Sequence, residues 1–261
     1  QSQENLTYEI IAENLLIPWE IEILPKNEML ITERAGNLLR MGKDKKIIKV
    51  EGVVHQGEGG LLGLALHPDF AKNNFIYVYF TSNSEGSIEN RVERYTLDLE
   101  KNSLRDKKVI VSNIPGSSFH DGGRIKFGPD GYLYIATGDT MNPQYAQDVH
   151  SLAGKILRVD DEGGIVKDNP FGNEVYSYGH RNPQGLAWDE KGNLWETEHG
   201  PSGPVIAGRD ELNKIDRGKN YGWDMIQGDE IKAGLVSPIM QSGSVKTWAP
   251  GGTAYYKGNI F

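Results

Sequence analysis

The chain has 261 residues, enough to bury a substantial core, and a formal charge of −8 with no basic run beyond Lys43–Lys46. That balance argues against a nucleic acid or an acidic membrane surface as partner. No apolar stretch approaches the roughly 18 residues of a spanning helix, and cysteine is absent, which removes disulfides, thiolate metal sites and cysteine nucleophiles.

Glycine, at 32 residues, is above average usage and points to many tight turns in an all-β chain. Leu6–Ile11 reads as a lone strand ahead of a repeated unit. The first unit opens at Trp19–Leu24, turns at Pro25-Lys26-Asn27 and returns through Met29–Thr32. The second runs through Leu62–Leu66, a turn at Pro68-Asp69 and Phe75–Phe80, and Ser82–Glu89 then reads as a loop insertion. A third occupies Arg124–Tyr134, and a short helix is expected within Pro143–Leu152. The fourth is Gly185–Trp195, turning at Asp189–Gly192, with a second loop insertion at Pro201–Arg209. A fifth opening lies at Gly252–Tyr256, with its turn at Lys257-Gly258-Asn259.

The turns fall roughly 40–70 residues apart, leaving room for two more strands per unit. Leu38–Met41, Val92–Leu97, Lys155–Val159 and Glu211–Ile215 suit the third-strand role. Four short antiparallel strands per unit, arranged radially, describe a β-propeller. No linker or low-complexity segment interrupts residues 1–261, so a single propeller domain is expected.

The chemistry concentrates around Phe119–Asp139. Gly128-Pro129-Asp130-Gly131 supplies a turn between two strands, which carries His120 and Asp139 to one end of a hairpin. The pair reads either as a general base with its orienting acid or as two solvated loop residues. In a propeller, the loops entering each inner strand gather at one channel mouth. Those loops hold Gln56–Gly60, Phe119–Asp121, Gly179–Gln184 and Lys246–Trp248, and later strand ends add Asp139 and Glu198–Pro201. Such a mixture of carboxylates, imidazole, guanidinium and amides suits a small polar ligand. Trp188, Trp195 and Trp223 read as blade core, and His55, His67 and His150 as surface or turn residues.

GEGGLLGLALHPDF (Gly57–Phe70), FHDGGRIKFGPDGYLYIATGD (Phe119–Asp139), AGKILRVD (Ala153–Asp160), YGHRNPQGLAWD (Tyr178–Asp189), TEHGP (Thr197–Pro201) and DELNKIDRGKNYGWD (Asp210–Asp224) occur in that order. The set resembles the soluble pyrroloquinoline quinone (PQQ)-dependent aldose sugar dehydrogenases, relatives of soluble glucose dehydrogenase. The resemblance implies a six-bladed propeller that oxidises the anomeric hydroxyl of an aldose to the lactone, with PQQ and Ca²⁺ at the channel mouth. It implies His120 as general base, Asp139 as the acid positioning it, and Arg181 and Asn182 beside the quinone. Glu58, His199 and Thr247 fall at cofactor-contacting positions. Gly200 and Pro201 match the carbonyl ligands of the PQQ-bound Ca²⁺, and Glu211 and Tyr221 a second calcium.

The same resemblance implies an external electron acceptor and an extracellular or periplasmic location after removal of a signal peptide. The family's Lys and Arg pair for the PQQ carboxylates follows the position of Tyr256 and is not in this sequence, which is therefore expected to lack its sixth blade. Two other functions fit a propeller with an acidic mouth: a calcium-dependent lactonase-type hydrolase, and a non-catalytic module binding a protein or glycan.

Overall fold

A computed structural model describes residues 9–202 and 208–261. Four antiparallel sheets of four strands follow one another along the chain, each with its strands in sequential order. The first holds β1 (Pro18–Ile23), β2 (Met29–Glu33), β3 (Asn37–Met41) and β4 (Lys45–Lys49). The second holds β5 (Leu61–Leu66), β6 (Phe75–Ser84), β7 (Ser87–Asp98) and β8 (Ser103–Pro115). In the third, β9 (Ile125–Phe127) and β10 (Leu133–Thr137) are followed by the short helix α1 (Pro143–Gln147), then β11 (Lys155–Val159) and β12 (Val175–Tyr178). The fourth holds β13 (Pro183–Trp188), β14 (Leu194–Glu198), β15 (Glu211–Ile215) and β16 (Met240–Gln241). A two-stranded hairpin, β17 (Tyr255–Tyr256) and β18 (Asn259–Ile260), begins where the fifth opening is expected. Sixteen strands in four sequential sheets are blades of a β-propeller.

The cores lie between successive blades. Leu30 and Leu38 of the first pack with Leu61 and Ile76 of the second. Tyr77, Tyr79 and Val92 of the second pack with Ile125, Leu133 and Leu157 of the third. Tyr134, Ala136 and Ile156 of the third pack with Leu186, Leu194 and Ile215 of the fourth. This explains why β5, β6 and β10 read as nearly continuous apolar runs: both of their faces are covered.

The inner strands meet around Arg124, just before β9. Its guanidinium is ion-paired with Glu20 of β1, lies 4.0 Å from the centre of the Trp19 ring, and donates from Nε to the Gln184 carbonyl of β13 at 2.8 Å. Burial pushes this guanidinium down to about 9.

Two local expectations change. Ser82–Glu89 is not a loop insertion: β6 and β7 run through it as one long hairpin, with Ser84 paired to Ser87. Its two-residue tip, Glu85-Gly86, has φ of 51° and 89°, the left-handed pair that a tight hairpin turn demands. Polar composition hid a strand whose tip needs only two residues. Residues 9–11 carry no strand, and the rest of Leu6–Ile11 lies outside the described residues. Within Pro201–Arg209, residues 203–207 lie outside them as well. His67 is a turn residue, as read, its carbonyl accepting from Phe70 N–H at 2.8 Å, but a packed one, with its ring centroid 5.6 Å from that of Phe127 and its Nε2 3.4 Å from Asp161.

Candidate active site

His120 sits in the loop before β9, and Asp139 follows β10. Two close approaches bring them together. Gly138 lies against the His120 carbonyl, where a Cβ would come within 1.9 Å of that oxygen. Gly122 has φ of 66° and faces the Ala136 carbonyl, which a Cβ would approach to 2.7 Å. Only glycine fits either position, so the Gly residues of the Phe119–Asp139 segment set the approach of base to acid. His120 Nδ1 is 2.7 Å from Asp139 Oδ1, and both side chains are buried. Asp139 Oδ1 also accepts from the Met141 backbone N–H at 2.9 Å, and Oδ2 from the Trp223 indole N–H at 2.7 Å. With donors on both oxygens, the carboxylate takes a proton-bearing Nδ1, which leaves Nε2 as the imidazole's lone pair.

The other expected residues gather around this pair. Glu58 Oε2 accepts from the His120 backbone N–H at 2.9 Å. Arg181 is buried; its carbonyl accepts from the Asp139 N–H at 2.7 Å, and its Nη1 donates to the His199 carbonyl at 3.1 Å. Burial lowers the pKa of its guanidinium, while Asp139, Glu198, Glu58 and Asp210 oppose that pull. Asn182 Oδ1 accepts from Gly122 N–H at 3.1 Å, so part of its side chain braces the His120 loop. Glu58, Asn182 and His199 line one cavity of about 240 Å³, whose walls also include Trp19, Gln184 and Arg34.

Gly200, Pro201, Glu211 and Tyr221 line a second, much smaller cavity beside Arg181 and His199, with room of about 10 Å³, roughly one water-sized sphere. A Cβ on Gly200 would come within 2.2 Å of the Gly208 carbonyl and 2.3 Å of the Arg209 carbonyl, so this loop is drawn in around bare backbone. Tyr221 is buried, its hydroxyl donating to the Lys214 carbonyl at 2.6 Å, and burial raises its pKa. Thr247 stands slightly apart: its hydroxyl donates to Asp210 Oδ2 at 2.7 Å.

Asp210 was not singled out in the sequence, yet it joins two of these loops. Its Oδ1 accepts from Gly200 N–H at 2.9 Å, and its Oδ2 from the Thr247 hydroxyl and the N–H groups of Trp248 and Ala249. Burial works to raise its pKa, but the Thr247 hydroxyl and those backbone donors outweigh it and hold the carboxyl below its ordinary range. Glu198 plays a similar part, accepting at Oε2 from the N–H groups of Arg181 at 2.6 Å and Asn182 at 3.3 Å.

Behind Glu198, His180, Glu196 and Glu198 are all buried, with ligand atoms within 4.8 Å of one another. The Asn213 amide nitrogen fills the space among the carboxylates, lying 3.1 Å from Glu196 and 3.2 Å from both Glu198 and Glu211. Burial, then the neighbouring Glu198, push the pKa of Glu196 well up and that of Glu211 up as well.

Trp223 corrects the sequence reading. It is not blade core: its indole N–H is on Asp139, and the Arg181 guanidinium carbon lies 5.4 Å from its ring centre. Trp188 does pack in a core, edge-on to Tyr134 with centroids 5.1 Å apart. Arg34 and Arg209 were also missed, and with Arg181 they give the two cavities three cationic side chains.

Comparison with known proteins follows the same lines. A family model described as Glucose / Sorbosone dehydrogenase matches residues 15–261. The quinoprotein glucose dehydrogenase B of Acinetobacter calcoaceticus is 34% identical over 269 residues, spanning 89% of this chain and 55% of its own length. The aldose sugar dehydrogenase YliI of Escherichia coli is 37% identical over 232 residues, spanning 83% of this chain and 61% of its own. The structure of the PQQ-bound form of aldose sugar dehydrogenase from Streptomyces coelicolor superposes with a TM-score of 0.90 at 40% identity, covering 97% of this chain and 75% of that one. The chain thus spans somewhat over half the length of these two curated relatives.

Proposed function

Because this chain belongs to the glucose/sorbosone dehydrogenase family, we propose that its protein oxidises the anomeric hydroxyl of an aldose sugar to the lactone, using PQQ and Ca²⁺ and passing electrons to an external acceptor. The observation that carries this reading is the buried His120–Asp139 pair, 2.7 Å apart, with Arg181 beside it at the channel mouth.

The residues present suit both groups. The Gly200-Pro201 loop, closed around bare backbone, with Glu211 and Tyr221 on the same small cavity, offers oxygen donors to a hard cation, the chemistry of Ca²⁺. Arg181, Asn182, Glu58, His199 and Thr247 would face PQQ. Its three carboxylates need cationic partners, because buried unpaired carboxylates are costly. Arg34, Arg181 and Arg209 supply part of that charge, and the family's Lys and Arg pair would supply the rest. When bound, PQQ provides the two-electron acceptor for a hydride.

The chain's own contribution is proton handling and placement. His120, with Nδ1 committed to Asp139, holds the Nε2 lone pair ready for the anomeric hydroxyl proton as the C1 hydride leaves and the lactone carbonyl forms. Asp139 fixes the tautomer and the ring's direction. Arg181, a permanent cation, would stabilise negative charge developing on a bound acceptor. Glu198 and Asp210 hold the backbone of the loops that present Arg181 and Gly200.

The same reading makes the protein one propeller of six blades, the Tyr255–Ile260 hairpin beginning the fifth, and places it in the periplasm or outside the cell. The hairpin's seat on the fourth blade, where the Thr253 and Thr197 hydroxyls are 2.7 Å apart, supports a continuing ring. The test is to add PQQ and Ca²⁺ to the full-length protein and follow aldose oxidation with a dye acceptor. Failure to oxidise any aldose, or hydrolysis of a lactone in its place, overturns the proposal.

A further inference from the structure

Trp223 lies 84 positions from Asp139 in the chain, yet its indole N–H closes the last open side of that carboxylate at 2.7 Å. Each Asp139 oxygen then has its own partners: His120 and Met141 N–H on Oδ1, Trp223 on Oδ2. A carboxylate held at one oxygen is free to swing about its Cβ–Cγ bond, whereas one held at both keeps its plane. The imidazole direction follows that plane. The residue is itself anchored through its backbone: the Trp223 main-chain N–H donates to the Gly179 carbonyl at 3.0 Å, and the Trp223 carbonyl accepts from the Gln147 side chain. Its ring also lies under the Arg181 guanidinium, 5.4 Å from the ring centre.

We propose that Trp223 is a positioning residue that aligns the base and the cation of this site together, its N–H fixing Asp139 and its face seating Arg181. The proposal rests on the dehydrogenase reading above for what is being aligned. It is distinct from that reading in assigning a role to a side chain that touches neither proton nor hydride.

Trp223→Phe keeps the ring and removes the N–H. In the full-length, PQQ- and Ca²⁺-loaded protein it is expected to lower kcat roughly 10- to 100-fold, the worth of one hydrogen bond to a charged group. The KM for the sugar should stay within about three-fold, because the lost contact orients the base and does not bind substrate. A second readout needs no turnover. In ¹⁵N-tryptophan-labelled protein without PQQ, each tryptophan gives one indole resonance, and the one missing from Trp223→Phe is that of Trp223. Asp139→Asn leaves Trp223 in place but exchanges its charged acceptor for an amide, so that resonance should move while the Trp188 indole resonance stays put. A wild-type kcat in Trp223→Phe, or a Trp223 resonance indifferent to Asp139→Asn, overturns the proposal. If the wild-type protein oxidises no aldose, the dehydrogenase reading falls, and the resonance alone decides whether Trp223 holds Asp139.

Discussion

Lys155 is fully buried in β11, and its ammonium sits among three backbone carbonyls: Tyr145 at 2.6 Å, Ala153 at 2.7 Å and Ala146 at 3.2 Å. It ties helix α1 to the third blade directly behind the Gly179–Asn182 loop, since the Ala146 carbonyl also accepts from Gly179 N–H at 2.9 Å. Lys155→Met keeps most of the volume and removes the donor. The Tyr145 and Ala146 carbonyls retain second partners in Asp148 N–H and Gly179 N–H, so each loses about 0.5–1.5 kcal/mol. The Ala153 carbonyl loses its side-chain donor, at about 1–3 kcal/mol. The expected loss is therefore about 2–6 kcal/mol at neutral pH. Burial pushes the Lys155 ammonium down to about 7, with Asp148 opposing. The folded protein thus releases this proton above about 7, while the unfolded chain keeps it until about 10.4, so the wild type gains stability as pH rises through that window, by about 1.4 kcal/mol per pH unit. Lys155→Met lacks that rise. Urea unfolding at pH 7 and pH 9.5, followed by tryptophan fluorescence, measures both effects. A loss below about 1 kcal/mol, or parallel pH curves for the two proteins, would refute this account of the lysine.

His120→Ala should lower kcat by about 10²–10⁴-fold with PQQ affinity retained, by stopped-flow turnover and cofactor titration; full turnover would remove His120 as the base. Asp139→Asn should cost less, because the amide oxygen still reaches His120 and Met141 N–H while its NH₂ opposes the Trp223 N–H; a loss as large as that of His120→Ala would count against a purely orienting role. Asp210→Ala frees the Gly200 and Thr247 loops together and should weaken Ca²⁺ binding roughly 10- to 100-fold by calorimetry; unchanged affinity would show that the loop holds its shape without it.

Much of the architecture was readable because its signals are local. Alternating strands, a Gly-Pro-Asp-Gly turn and a recurring opening identify a blade within about thirty residues, and they also bring His120 to Asp139. Contacts that join blades left no such trace. Trp223 meets Asp139, and Arg124 meets Glu20, across separations of 84 and 104 residues that no spacing rule anticipates. Asp210 looked like one acid among many until the backbone donors of two loops converged on it. The Glu85-Gly86 tip was misread for the opposite reason: composition suggested a loop, while two left-handed residues sufficed for a hairpin.

The ion-paired Arg124 bears on the walls of the site. Glu20, Trp19 and the Gln184 carbonyl grip its guanidinium, and Trp19 and Gln184 also wall the cavity that Glu58, Asn182 and His199 line. Trp19 and Gln184 thus serve both the wall of that hollow and the grip on a buried cation, so whatever loosens the Arg124–Glu20 pair loosens the wall as well.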